Sequence, residues 1–156
     1  MKLLFICTHN RCRSILAEAV CNHLSEGGLV ARSAGSQPVG EVHPLSLKYL
    51  VEAGISTQGL CSQSWNDHES WQPDVVITVC NSAAGEQCPV WFGDSLRVHW
   101  GLADPSRLEG TEEEIAEAFR ATIKTISDRI QTLLDADVDT LLAEGRLRLF
   151  NELGKQ

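Results

Sequence analysis

Strand-like and helix-like segments alternate from end to end of this chain, the pattern of an α/β domain built on a parallel sheet. Lys2 to Cys7 is apolar after its lysine and reads as a strand buried on both faces. Ser14 to about Ser25 reads as a helix, with Ile15, Leu16, Ala19, Val20 and Leu24 at helical spacing and Gly27-Gly28 ending it. Leu29 to Ser33 is a second short strand, followed by a turn-rich Ala34-Gly35-Ser36. Leu45 to Ala53 is a helix introduced by Pro44 and stopped by Gly54. Asp74 to Cys80, with its Val-Val-Ile-Thr-Val run, is the central strand, and Leu96 to Trp100 is the next. Thr111 and Glu114 have the spacing of a capping box. The helix it opens carries Ile115, Phe119, Ile123, Ile126, Ile130 and Leu133 on one face, which is expected to pack on the sheet. Asp139 to Leu153 reads as a further amphipathic helix. The expectation is one domain over residues 1–156, a three-layer α/β sandwich with a four-stranded parallel sheet. Residues 135–156 are expected to form a C-terminal helical extension.

Charge and cysteine usage narrow the function. No apolar run approaches the ~20 residues of a membrane span, and the apolar Leu3 to Ile6 is too short for a signal peptide. A cytoplasmic monomer is expected. The formal net charge of −8 argues against nucleic acid or an anionic membrane as partner. Six cysteines in a reducing compartment point to catalysis, metal binding or simple burial. There is no C-x-x-C pair, so no metal site is expected.

The segment Cys7-Thr8-His9-Asn10-Arg11-Cys12-Arg13-Ser14 fits C-x5-R-S between a strand and a helix. A loop in that place closes over a helix N-terminus, where free N–H groups and the helix dipole attract an anion. Successive amides from Thr8 to Ser14 can form a nest for a tetrahedral oxyanion, and the Arg13 guanidinium can bind two of its oxygens. The same field favours a thiolate at Cys7, making it the candidate nucleophile. Ser14 is expected to donate to the sulfur and Asn10 to shape the loop. His9 and Arg11 add positive potential or are solvated surface. The plainer alternative is an inert cysteine at a strand end, the reading preferred for Cys12 and Cys21 as side chains. Asp104-Pro105 follows the Leu96 to Trp100 strand, on the ligand-facing edge of a parallel sheet. Asp104 is the candidate acid, its pKa raised by burial, against the alternative of a simple turn.

The C-x5-R-S loop, Ser33-Ala34-Gly35, the central strand and Asp104-Pro105 together resemble the low-molecular-weight protein tyrosine phosphatase superfamily, over roughly residues 1–135. That superfamily holds phosphotyrosine hydrolases and arsenate reductases. Cys80, Cys88-Pro89, His99-Trp100-Gly101 and Gly110 to Glu114 look like the reductase branch, and Ser106-Arg107 stand where phosphatases usually carry an aromatic residue. The resemblance implies a relay. Cys7 attacks arsenate, Asp104 protonates the departing hydroxyl, and Cys80 attacks the Cys7 sulfur. Cys88 then takes over the disulfide, which an external thiol reductant (thioredoxin, or glutathione and glutaredoxin) reduces. The interval from Cys80 to Cys88 is one residue longer than in thioredoxin-linked members, leaving the donor open. Some members bind potassium through equivalents of Asn10 and Glu18; Cys61-Ser62-Gln63 offers no further carboxylate, so no cation is expected here. A tyrosine phosphatase and a thiol-based redox sensor are the alternative readings.

Overall fold

In a computed structural model, which describes residues 1–84, 93 and 95–155, four strands form one parallel sheet in the order β2-β1-β3-β4. Strands β1 (Lys2–Ile6), β2 (Val30–Ala34), β3 (Val75–Thr78) and β4 (Leu96–His99) supply it. In β1, Leu3 and Phe5 point to one face and Leu4 and Ile6 to the other, and none is more than 1% exposed. Both faces of the sheet centre are therefore covered, which is the three-layer arrangement. Each such buried side chain contributes about 1.5–3 kcal/mol.

Register brings the strand ends level. Ile6 pairs with Ala34 on one side and Thr78 on the other, and Thr78 pairs with His99. Backbone bonds carry the pairing past the strands, from Val79 N to Ile6 O (2.9 Å), Trp100 N to Thr78 O (2.8 Å) and Leu102 N to Val79 O (3.1 Å). Cys7, Cys80 and Trp100, read from sequence as the last strand residues, thus begin loops at one shared edge. Burial of these loop residues kept the apolar pattern running beyond the strands.

Helix α1 (Arg13–Ser25) ends at Glu26, which adopts the left-handed conformation at φ 48°, with Gly27 following at φ 96°. Helix α2 (Pro44–Glu52) starts on its proline, and His43 Nδ1 accepts from Leu45 N. A 3-10 segment, Trp65–Trp71, capped by a reciprocal Ser64–Asp67 box, went unread in the sequence because it shows neither helical nor strand periodicity. A four-residue helix, α3 (Asn81–Ala84), follows β3. In α4 (Glu112–Asp135), Thr111 Oγ1 accepts from Glu114 N at 3.1 Å, and Phe119, Ile123, Ile126, Ile130 and Leu133 are buried. This helix packs most extensively along α1 rather than on the strands.

The expected helix from Asp139 is split. A 3-10 turn, Val138–Thr140, comes first, and α5 (Ala143–Gly154) then packs on β4. Arg146 ties the two by donating to Val138 O and Asp139 O. Among the described residues, no helix is long and apolar enough to cross a membrane.

Candidate active site

The loop between β1 and α1 is held by an asparagine that points inward. Asn10 is fully buried, lies at φ 48°, and donates through Nδ2 to Ser14 Oγ (2.8 Å) and Ser33 Oγ (3.0 Å). Its Oδ1 accepts from Gln63 N at 2.9 Å. Asparagine tolerates the left-handed region better than most residues, so conformation and hydrogen bonding agree at this position. Ser33 Oγ in turn donates to Glu18 Oε1 at 2.7 Å. Gly35 lies so close to the loop that a Cβ there would sit 2.5 Å from Thr8 O and 2.8 Å from Cys7 O. The Ser14 hydroxyl accepts from Asn10.

The N–H groups of Asn10, Arg11, Cys12, Arg13 and Ser14 meet no acceptor among the described residues. Arg13 is fixed by donation from one terminal nitrogen to Leu102 O (3.0 Å), and its other lies 3.5 Å from Asp104 Oδ2. Arg13 Nε is buried with no hydrogen-bond partner among the described residues. A buried donor of that kind costs about 1–3 kcal/mol unless an acceptor reaches it. These amides, the N-terminus of α1 and the Arg13 guanidinium all follow Cys7 within one short loop, a donor-rich stretch in a chain of net charge −8.

Two thiols share this site. The Cys7 and Cys80 side chains are hydrogen-bonded to each other. Cys80 Sγ also accepts from Thr8 N (3.4 Å) and Ala83 N (3.3 Å). The bond from Cys7 dominates in pulling the Cys80 thiol down to about 5, against its burial, with the Ala83 and Thr8 N–H groups helping. The bond to Cys80, followed by burial, pushes Cys7 up; Arg13 and the His9 N–H oppose this. The pair therefore loses one proton easily and the second with difficulty. The shared bond and burial favour the charge on Cys80 rather than on Cys7, where it was expected from the sequence.

Asp104 stands across the site. Its Oδ1 accepts from Ser106 N (3.0 Å) and Ser106 Oγ (2.6 Å), while Oδ2 faces Arg13 and, at 3.5 Å, Arg107 Nε. The carboxyl group is partly buried and ringed by donors. A cavity of about 390 Å³ opens beside it, between the Gly101–Pro105 loop and Ala118, Ala121 and Thr125 of α4.

The remaining candidates divide. Cys12 and Cys21 are buried, and burial pushes their thiols up to about 11 and about 12. His9 and Arg11 serve the loop through their carbonyls, which accept from Val39 N and Ser62 Oγ, and from His43 N and Ser46 Oγ. Cys88 lies outside the described residues. Asn10 turns donors toward Ser14 and Ser33, Gln63 supplies a backbone N–H, and burial raises the Glu18 carboxyl. Among the described residues no cluster of three or more His, Cys, Asp and Glu could hold a metal.

His99 was noted in the sequence without a role. Its Nε2 meets Asn81 Oδ1 at 3.1 Å and its Nδ1 meets Thr78 Oγ1 at 2.8 Å, so it grips the residue after Cys80. Spacing alone carried no such signal, because the contact joins two different strand ends.

A nucleophile loop, a second thiol touching the first and an Asp-Pro turn on one edge of a four-stranded parallel sheet define a cysteine-dependent oxyanion enzyme class. Residues 2–145 match the low molecular weight phosphotyrosine protein phosphatase family, and the chain belongs to that family. Within it, an arsenate reductase of Bacillus licheniformis is 38% identical, the match covering 81% of this chain and 90% of that one. The fold also superposes on an arsenate reductase in its phosphate-binding state, with TM-score 0.71 and 27% identity over 86% of this chain and 97% of that one. A thioredoxin-dependent arsenate reductase of Corynebacterium glutamicum gives TM-score 0.61 and 32% identity, over 84% of this chain and 62% of that one.

Proposed function

We propose that this chain reduces arsenate to arsenite through a thiol relay that begins on Cys7. The observation that carries the reading is Cys80 set against the oxyanion loop, its sulfur accepting from Thr8 N at 3.4 Å and paired with Cys7. A phosphatase needs one thiolate and a water molecule. A second thiol in contact with the first supplies the other half of a two-electron reduction.

Arsenate enters the nest, its oxygens facing the loop amides and Arg13 Nε. Cys7 passes its proton to the Cys80 thiolate and attacks arsenic, while Asp104 gives a proton to the departing oxygen, released as water; Cys80 then loses the transferred proton to solvent. Cys80, already in contact, attacks the Cys7 sulfur as a thiolate. The sulfur–arsenic bond breaks with its electron pair left on arsenic, so arsenic(V) leaves as arsenite and a Cys7–Cys80 disulfide forms. Cys88 then attacks the Cys80 sulfur, freeing Cys7, and an external dithiol of the thioredoxin type reduces the Cys80–Cys88 bond. Thiol–disulfide exchange of this kind needs no bound cofactor.

One turnover without reductant tests this. Reduced protein mixed with arsenate should release one arsenite per chain, and peptide mass mapping should find Cys80 joined to Cys88. A Cys7–Cys12 bridge, or hydrolysis of an aryl phosphate with no arsenite formed, would remove the relay.

A further inference from the structure

The family match ends at residue 145, so most of α5 (Ala143–Gly154) lies beyond it. Phe150 and Leu153 are buried, and the Phe150 ring stacks on Trp100 at 5.9 Å between centroids with planes 25° apart. Trp100 Nε1 donates to Phe150 O at 2.8 Å. Gly154, the last helical residue, presses on the strand end so closely that a Cβ would fall 3.1 Å from Trp100 Cδ1 and even nearer to His99 O. Trp100 is 1% exposed and also packs on Phe5, with their centroids 6.1 Å apart.

From Trp100 the chain runs directly into the site. Two residues on, Leu102 is anchored by its N–H to Val79, just past β3, and holds Arg13 through its carbonyl. Two further on stands Asp104, facing the same guanidinium. An indole packed against Phe5 and Phe150 and held at its N–H therefore sets where the Gly101–Asp104 loop leaves the sheet.

We propose that α5 is a positioning element for catalysis: docked on Trp100, it holds the Gly101–Asp104 loop where Leu102 aims Arg13 at the oxyanion. Its role rests on the oxyanion-site reading but not on the cysteine relay. If α5 served only to cover the edge strand, its removal would lower stability without touching anion affinity. Coupling makes a further demand, because linkage is reciprocal: whatever helps the anion bind must itself be tightened by the anion.

Inorganic phosphate, a tetrahedral anion that the thiols cannot reduce, is the probe. In the unaltered reduced protein, saturating phosphate should slow amide hydrogen exchange in residues 146–154 several-fold, as well as in the Cys7 loop. Gly154→Ala, which keeps the helix but forces its end off His99, should weaken phosphate binding in calorimetry by about fivefold or more. Slower exchange in the Cys7 loop with α5 unchanged would overturn the proposal, as would a folded Gly154→Ala protein with native affinity. No protection in the loop at saturating phosphate would show that the oxyanion site itself had been misread. A native anion response in a protein that fails to reduce arsenate would remove the relay and leave the role of α5 standing.

Discussion

The two thiols touch, yet the segments that carry them are built differently. Cys7 sits on a loop whose shape is set from inside by a buried asparagine with three hydrogen bonds, and by a glycine that admits no side chain. Cys80 leads into a helix of four residues, and the His99–Asn81 bond that grips this helix is exposed. The first thiol needs a fixed field, because an anion must find all its donors at once. The second must attack Cys7 and then hand its bond to another thiol, so a lightly anchored segment suits it. Stability and chemistry should therefore separate when the two regions are perturbed.

The largest effects fall on the thiols themselves. Cys7→Ser should reduce steady-state arsenate reduction to background. Cys80→Ser should do the same for multiple turnover while leaving phosphate affinity within about twofold, and a reductant-coupled assay beside calorimetry would distinguish the two. Next come the supports of the loop. Asn10→Ala strands Ser14, Ser33 and the Gln63 N–H, and should cost about 2–3 kcal/mol in denaturant unfolding, with weaker phosphate binding. Gly35→Ala drives a methyl group against backbone oxygens and should cost at least about 1–3 kcal/mol.

A titration sharpens the contrast between the thiols. Thiolate absorbance in the ultraviolet should rise through a step near pH 5 as Cys80 ionises. Replacing its main hydrogen-bond donor, as in Cys7→Ala, should move that step upward. Since the folded value lies below an ordinary thiol near 8.5, this ionisation stabilises the protein fully above that pH, and the contribution disappears as pH falls through about 5. A step that stays put in Cys7→Ala would break the pairing of the two sulfurs. The smallest expected effect on stability is that of His99→Ala, within about 0.5 kcal/mol as for most exposed sites. It should nonetheless change the rate at which a Cys7–Cys80 bond gives way to Cys80–Cys88, measured by quenched mass mapping. A destabilisation equal to that of Asn10→Ala would erase the difference between the regions.

Much of this was legible in the linear sequence. Apolar runs and capping residues determined the order of strands and helices, and C-x5-R-S between a strand and a helix marked the anion site, because both signals are local. Glycine and serine at 33–35 belonged to a recognisable pattern, but their reason did not show: Gly35 touches Thr8 and Ser33 holds Asn10, contacts that only parallel pairing of β1 with β2 creates. Tertiary structure alone decided that Ser14 accepts from Asn10, that Asp104 is ringed by donors, and that His99 grips Asn81. It also turned a C-terminal amphipathic segment into a brace on Trp100. Those outcomes depend on which strand ends lie level and which helix covers an edge, and such distances through space leave no periodicity in the chain to read.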